Sequence, residues 1–320
     1  MKASVIIPTK NPGPTFANVL TAVKAQQTDW PFEIVIIDSG STDGTLELVR
    51  KHPEITLIEI LPADFGHGRS RNLAISKAKG EFCAMLTHDA EPVGDRWLAD
   101  IVDAVAQDQR IAGAFGPHLA YAGHSIFTKR DLERHFDGFA NLPLVMSRDT
   151  DAARYANDQG WRQVLHFYSD NNSCLRRAAW EEIPYPDVDF AEDQIWAQKI
   201  IDVGWKKAFA PSAAVFHSHE YGAFEQLQRA FDESLAFRRL FGYRLGATPW
   251  RAVASAFWFC AQDWRWGRAH GVGLAEIIRR IANDIALVIG HSLGSRGDWL
   301  PQRLKIFLSR DKKLFYAVQD

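Results

Sequence analysis

No stretch of this chain approaches the roughly 18 uninterrupted apolar residues that a bilayer-spanning helix needs, so no segment reads as a membrane span. The first apolar run, within MKASVIIPTKN, breaks at Pro8; it is too short for the apolar core of a signal peptide and reads as a strand. Cysteine is scarce. Cys83, Cys174 and Cys260 lie far apart with no CxxC, a pattern that suits plain core thiols in a reducing compartment rather than a disulfide framework or a metal knuckle. A surplus of one charge sign is also missing: the formal net charge of -2 argues against a general nucleic-acid binder, which wants a strongly positive face. No GxGxxG follows the first strand, which disfavours NAD or FAD, and there is no GxxxxGKS/T phosphate loop. Neither a repeat nor a low-complexity tract is present.

What is there alternates. Val5 to Ile7 is β-branched and continuous, as a strand buried on both faces should be. A Pro/Gly/Asn-rich turn from Pro8 to Pro14 follows, and then Phe16, Val19, Leu20 and Val23 recur at helical spacing over 15–28. Further strands are expected at 33–37, 55–60 and 82–86, with helices at 43–51 (capped by Thr42 or Ser41) and 68–79. This rhythm predicts an α/β fold with a mostly parallel central sheet flanked by helices. Such sheets bind ligands at the carboxyl ends of their strands. Polar groups gather at those ends: Lys10 and Asn11, Asp38, Asp64 to His67, and Asp89 with Glu91. Beyond these the pattern predicts a helix over 97–107, a strand over 112–115, loops and short helices over 116–163, and a helix over 187–202. Residues 207–209 and 213–216 read as a strand pair or one bent strand. Past about residue 220 the alternation stops and helices dominate. Two domains are expected, 1–220 and a C-terminal helical extension over 221–320.

The strongest local signal is Thr87-His88-Asp89-Ala90-Glu91 directly after an apolar strand. Two carboxylates one residue apart supply hard oxygen ligands for Mg²⁺ or Mn²⁺, and a bound ion would offset charge on a leaving diphosphate. The bland reading is a solvated acidic turn. Asp38 opens an Asp-Ser-Gly-Ser-Thr-Asp-Gly turn and is placed to accept hydrogens from a base or a ribose; the alternative is an Asx-turn. Arg71 lies one helical turn into the next helix, where it would touch phosphate, fix Asp89, or form a structural salt bridge. Glu192-Asp193 opens a helix whose apolar face includes Trp196. Asp193 is the expected general base, with Glu192 as runner-up, and Glu192 and Trp196 are expected at the acceptor. His217 and His219 follow an apolar strand on one side of the chain; either is a candidate to complete the metal shell or reach the diphosphate, or to be a structural histidine.

VIIPTKN at 5–11, IVIIDSGSTDGT at 34–45, FGHGRSRNLA at 65–74, MLTHDAEP at 85–92, FAEDQIWAQKI at 190–200 and VFHSHEY at 215–221 occur in the order of, and resemble, the family-2 glycosyltransferases of the GT-A nucleotide-sugar-binding fold. Within them the chain is similar to the bacterial rhamnosyltransferase-like group. The resemblance implies that Asp38 contacts the nucleotide base, with Thr9 shaping the pocket. It implies that Asp89 and Glu91 occupy the family's acidic metal motif, Asp89 also meeting the nucleotide, and that Glu192-Asp193 supplies the base. It further implies inverting transfer from a nucleoside-diphosphate sugar, dTDP-L-rhamnose above others, to a glycan or lipid-linked saccharide of bacterial surface polysaccharide such as O-antigen. Glu91 departs from the usual second Asp, and its longer arm would shift the metal. A nucleotidyltransferase of the same fold would want a Gly-rich basic loop after strand one, which PTKNPGPT is not. A non-catalytic scaffold would be expected to have lost one of the acid pairs, and both are kept.

The helical extension is not covered by these motifs. WRAVASAFWFCAQDWRW at 250–266 interleaves aromatic and basic residues, and 295–313 carries six basic residues (Arg296, Arg303, Lys305, Arg310, Lys312, Lys313) against Asp298 and Asp311. Such helices suit an anionic membrane surface, or pack against other protein. The expected location is cytoplasmic, peripheral on the inner face of the plasma membrane.

Overall fold

Strand β1 (Ala3–Thr9) shows why the alternating segments form a sheet covered on both sides. Its Val5 and Ile7 point into one apolar cluster and Ile6 into another, and all three are fully buried. The first cluster collects Phe16, Val19, Leu20 and Val23 from α1 (Phe16–Lys24), with Trp97, Leu98, Ile101, Val102 and Val105 from the later helix 97–106. The second collects Ala74 and Ile75 of helix 67–77 and Trp196, Ala197, Ile200 and Ile201 of helix 192–202. Side chains alternate across a strand, so a strand with both faces covered reads as a continuous apolar run.

The computed structural model describes residues 1–188, 190–246 and 248–311. The chain divides into two units: one comprises Met1–Ala122 and Lys129–Ser218, the other Gly123–Thr128 and the chain from His219 onward. In the first unit β2 (Phe32–Asp38), α2 (Thr45–Arg50), β3 (Thr56–Glu59), α3 (His67–Lys77) and β4 (Phe82–Leu86) follow α1. Next come β5 (Glu91–Pro92), α4 (Trp97–Ala106), β6 (Ile111–Phe115) and β7 (His118–Leu119). The middle of the chain adds α5 (Ile126–Ala140, its first residues grouped with the second unit), β8 (Val145–Met146), α6 (Ala152–Asn157) and α7 (Gln159–His166). The unit closes with β9 (Asn172–Arg176), α8 (Arg177–Glu182), α9 (Glu192–Asp202), β10 (Lys206–Phe209) and β11 (Val215–Phe216).

The main sheet has the order β3-β2-β1-β4-β9-β6-β10-β8 and a small second sheet the order β5-β11-β7. Strands β1 to β4 pair in parallel, as does β10 with β6; β9 runs antiparallel between β4 and β6, and β8 antiparallel to β10. The sheet is mostly parallel, as expected.

Four local expectations differ. Strand β9 is absent from the sequence reading. The helix expected from 187 begins at Glu192. Residues 206–209 and 215–216 enter two different sheets instead of pairing with each other. Helix α2 starts after Gly44 in a left-handed conformation (φ 91°), and neither expected hydroxyl caps it: Ser41 Oγ is engaged with Asp38 Oδ2 (2.6 Å) and Thr42 Oγ1 with Asn11 Oδ1 (3.5 Å).

The second unit contains α10 (Ala223–Phe241), α11 (Pro249–Ala269), α12 (Leu274–Gly294) and α13 (Gln302–Leu308). Phe231 and Leu235 of α10 bury against Leu308, and Phe127 buries with Val272 and Ile277. Arg280 ion-pairs with the buried Asp263 and Asp284. Among the described residues no helix is long and apolar enough to cross a membrane. Lys312 and Lys313 of the expected basic tail lie outside the described residues.

Candidate active site

The rim begins where β1 and β2 end side by side, Thr9 opposite Asp38 in the ladder. The Asp38 carboxylate accepts four hydrogen bonds: Oδ2 from Thr9 Oγ1 (2.8 Å) and Ser41 Oγ (2.6 Å), Oδ1 from the amides of Gly40 (2.9 Å) and Ser41 (2.7 Å). That set fills the acceptor sites of the carboxylate, and Asp38 is buried. Lys10 Nζ donates to the carbonyls of Ser39 (2.8 Å) and Gly40 (2.6 Å), and Asn11 N donates to Ser41 Oγ (2.8 Å). The two loops are therefore stitched into one wall. Asp38 and Thr9 set the shape of that wall from inside it.

Asp89 sits in the turn after β4, while Glu91 opens β5. The small sheet explains how distant residues converge on them. Glu91 lies opposite Phe216 of β11, which also pairs with Leu119 of β7, so the chain leaving β11 at His217 and the chain leaving β7 at Tyr121 arrive beside the acidic turn. His217 Nε2 stands 3.6 Å from Asp89 Oδ1, with Asp89's side chain 30% and His217's 12% exposed. The Tyr121 hydroxyl donates to the Asp89 carbonyl (3.0 Å), and burial together with the charges of Glu91 and Asp89 pushes it up to about 12. Behind His217 the His118 ring packs edge-on at 5.1 Å, and burial keeps that imidazole neutral well below its usual range. A carboxylate and an imidazole within one ion's reach, half open to solvent, form a donor set that fits Mg²⁺ or Mn²⁺ with further shell positions left for phosphate and water. His219 is two residues further along the chain, at the head of the second unit.

A second acid group is built around Arg71. Its guanidinium is buried and pairs with Glu192 Oε1 through Nη1 and with Asp170 Oδ2 through Nε (3.2 Å). Burial alone would lower the arginine, but Glu192 and Asp170 hold it firmly cationic. Asp170 accepts from Ser173 Oγ (2.7 Å) and the Tyr185 hydroxyl (2.9 Å). The half-buried Asp193 takes the Asp170 amide on Oδ2 (3.2 Å) and the Gln194 amide on Oδ1 (2.7 Å). Burial, then repulsion from Glu192 and Asp170, raises Asp193 well above the ordinary carboxylate range. Asp170 is raised as well, by burial first, against the lowering effect of Arg71. Three carboxylates thus share one guanidinium. On top of burial, such an excess of negative charge raises the acid that Arg71 does not touch, Asp193.

The FGHGRSRNLA stretch assembles this group. Arg71 supplies its cation. Asn72 clasps the backbone of Tyr185, accepting its amide (3.1 Å) and donating to its carbonyl (2.9 Å). Gly68 lets the start of α3 lie against the Pro186 carbonyl, which would sit 2.0 Å from a Cβ there. Ala191, in a left-handed conformation at φ 56°, then turns the chain into α9 and aims Glu192 and Asp193. The sheet register puts both acid groups at one edge, because Leu86 at the end of β4 pairs with Asn172 at the start of β9.

Two site expectations need correcting. Trp196 does not reach an acceptor: it is fully buried, packs against Tyr168 and Tyr185, and donates from Nε1 to the Ile183 carbonyl (2.7 Å). Of the alternatives for Arg71, contact with Asp89 gives way to the salt bridge: its guanidinium pairs with Glu192 of α9 and with Asp170 before β9. Asp170 and Tyr121 are absent from the sequence reading; nothing in SDNNS or HLAYAG sets them apart from ordinary loop residues.

Comparison with known proteins gives a consistent picture. The family model described as Glycosyl transferase family 2 matches residues 4–183. The O-antigen chain rhamnosyltransferase RfbN of Salmonella typhimurium is 30% identical over 331 aligned residues, covering 100% of this chain and 98% of that protein. The O-antigen chain rhamnosyltransferase WbaN of Salmonella anatum is 27% identical, covering 99% and 96%. Among solved structures, the mannosyltransferase PcManGT from Pyrobaculum calidifontis, in complex with GDP-Man and Mn²⁺, superposes with a TM-score of 0.59 at 19% identity, covering 93% of this chain and 87% of that one. At that identity the likeness speaks for the GT-A fold.

Proposed function

The chain belongs to glycosyl transferase family 2, and we propose that it is an inverting, metal-dependent rhamnosyltransferase. It moves L-rhamnose from dTDP-L-rhamnose to a hydroxyl of a glycan or lipid-linked glycan in the assembly of bacterial surface polysaccharide. The full-length likeness to two O-antigen rhamnosyltransferases supports the sugar and the product class. The observation that carries the chemistry is a pair of acid groups at one edge of the sheet in different surroundings: Asp89 beside His217, half open, and Asp193 raised by burial and then by the charges of Glu192 and Asp170.

In this reading the wall held by Asp38 and Thr9 receives the nucleotide. Asp89 and His217 would hold a divalent ion, Mg²⁺ or Mn²⁺, with Glu91 and His219 as further ligands by their place in the chain; bound there, the ion would offset charge on the leaving diphosphate. Asp193 accepts the proton of the acceptor hydroxyl as that oxygen bonds to the anomeric carbon. The bond from that carbon to the diphosphate breaks on the opposite face, and the electron pair leaves with the nucleotide. Glu192 and Asp170, only partly neutralised by Arg71, add to the burial that keeps Asp193 basic. The protein works in the cytoplasm, peripheral on the inner face of the plasma membrane.

Chelation tests the metal half: transfer stops and returns on adding Mn²⁺ or Mg²⁺, and transfer insensitive to chelator removes the ion from the mechanism. Thermal-shift screening of UDP-, GDP- and dTDP-sugars tests the donor. dTDP-L-rhamnose should stabilise most; if dTDP compounds stabilise least, the rhamnosyl assignment is lost.

A further inference from the structure

Helix α11 turns the wrong kind of surface outward for a protein surrounded only by water. Trp250, Phe257 and Trp264 recur every seven residues, which places them on one face, and they are 86%, 78% and 43% exposed. Val253 and Trp258 widen the stripe at 66% and 57% exposure. The opposite face is the one that packs, with Ala252, Asp263 and Gly267 buried. From Trp250 to Trp264 the stripe runs about 21 Å. An exposed aromatic strip of this length is rare on a monomer and marks a contact surface.

The charges on the helix say what the contact is. Arg251, Arg265 and Arg268 are exposed and meet no carboxylate among the described residues. The helix's one acid, Asp263, is buried against Arg280 and contributes nothing outward. A second copy docking stripe to stripe about a two-fold axis would set arginine against arginine at both ends. An anionic lipid surface instead supplies negative headgroups to the arginines and an interfacial layer to the indole rings.

We propose that the exposed face of α11, Trp250, Val253, Phe257, Trp258 and Trp264 flanked by Arg251, Arg265 and Arg268, docks on an anionic bilayer surface with the helix lying in the headgroup plane. This deepens the peripheral placement proposed above, and it is read without any substrate, so its failure is separate from failure of the transferase reading.

The test is sedimentation of the full chain with vesicles of phosphatidylethanolamine and phosphatidylglycerol, against vesicles of phosphatidylcholine alone. The protein should sediment with the anionic vesicles and be released by salt. The triple variant Trp250→Ala/Phe257→Ala/Trp264→Ala should bind them more than about tenfold more weakly. Arg251→Gln/Arg265→Gln/Arg268→Gln should weaken binding about a hundredfold at low salt and leave a residue insensitive to salt. Both triple variants should melt like the parent, since their side chains face outward. The proposal is overturned if the parent ignores anionic vesicles, or if both variants bind as the parent does. It is also overturned if the aromatic variant alters only the oligomeric mass in solution, which would make a second copy the occupant.

Discussion

Asp89 and Asp193 are carboxylates at the same edge of one sheet, yet their surroundings treat them in opposite ways. Asp89 is held by its backbone, through the Tyr121 hydroxyl, and its side chain faces a half-exposed space shared with His217. Asp193 belongs to a group that carries its own cation, with Arg71 buried between Glu192 and Asp170. One group is open to a charge that arrives with the substrate. The other is closed around a fixed charge too small to neutralise it, and burial together with that shortfall keeps one acid basic. The difference shows that acid content alone does not assign a role; the count of built-in counter-charges does.

Breaking the closed group should have the largest effect. Asp193→Asn should lower transfer about 10²–10⁴-fold, with nucleotide affinity unchanged by calorimetry; full turnover would move the base elsewhere. Arg71→Met leaves Asp170, Glu192 and Asp193 with no counter-charge, and chemical denaturation should show a loss of about 3–5 kcal/mol. Added Mn²⁺ should not restore it; an unchanged midpoint would mean that the acids shed charge by protonation. Asp170→Asn sharpens the same point through pH. Asp193 serves as base only when ionised, so activity rises with pH through its raised pKa. Removing the repulsion of Asp170 lowers that pKa, and the acid limb of the rate profile should move to lower pH. A limb that stays put would remove Asp170 from the tuning. The smallest effect belongs to the open group: Tyr121→Phe deletes one hydrogen bond to the Asp89 carbonyl and should cost about 0.5–1.5 kcal/mol of stability. A larger loss would mean that the turn leans on that hydroxyl far more than the open arrangement suggests.

The first four strands were legible because burial on both faces writes an uninterrupted apolar run. Strand β9 was not, for a reason visible in its side chains. Asn172 and Ser173 are fully buried polar residues whose needs are met from elsewhere in the fold. Asn172 Nδ2 donates to the Ala213 and Pro117 carbonyls, its Oδ1 accepts from Trp97 Nε1, and Ser173 donates to Asp170. A strand whose polarity is satisfied by tertiary contacts carries no hydrophobic signature. Asp170 was hidden with it, since it precedes β9 in what reads as a polar turn. The acids Asp89, Glu91, Glu192 and Asp193 stood out by position, but their division into an open and a closed group depends on Arg71, whose partners lie 99 and 121 positions away (170 − 71 and 192 − 71). Trp196 shows the reverse error: an aromatic on a helix beside the acids looked available, and the helix used it for the core.

The bare hydrogen of Gly68 against the Pro186 carbonyl reaches past packing to how this architecture tolerates change. Any methyl at that point must push back the strand of chain that delivers Ala191 and the two acids, so the stretch after β3 and the stretch before α9 are free to vary only as a matched set. Grafting residues 183–191 from a relative, to alter which hydroxyl is glycosylated, should then succeed only when residues 65–74 travel with them.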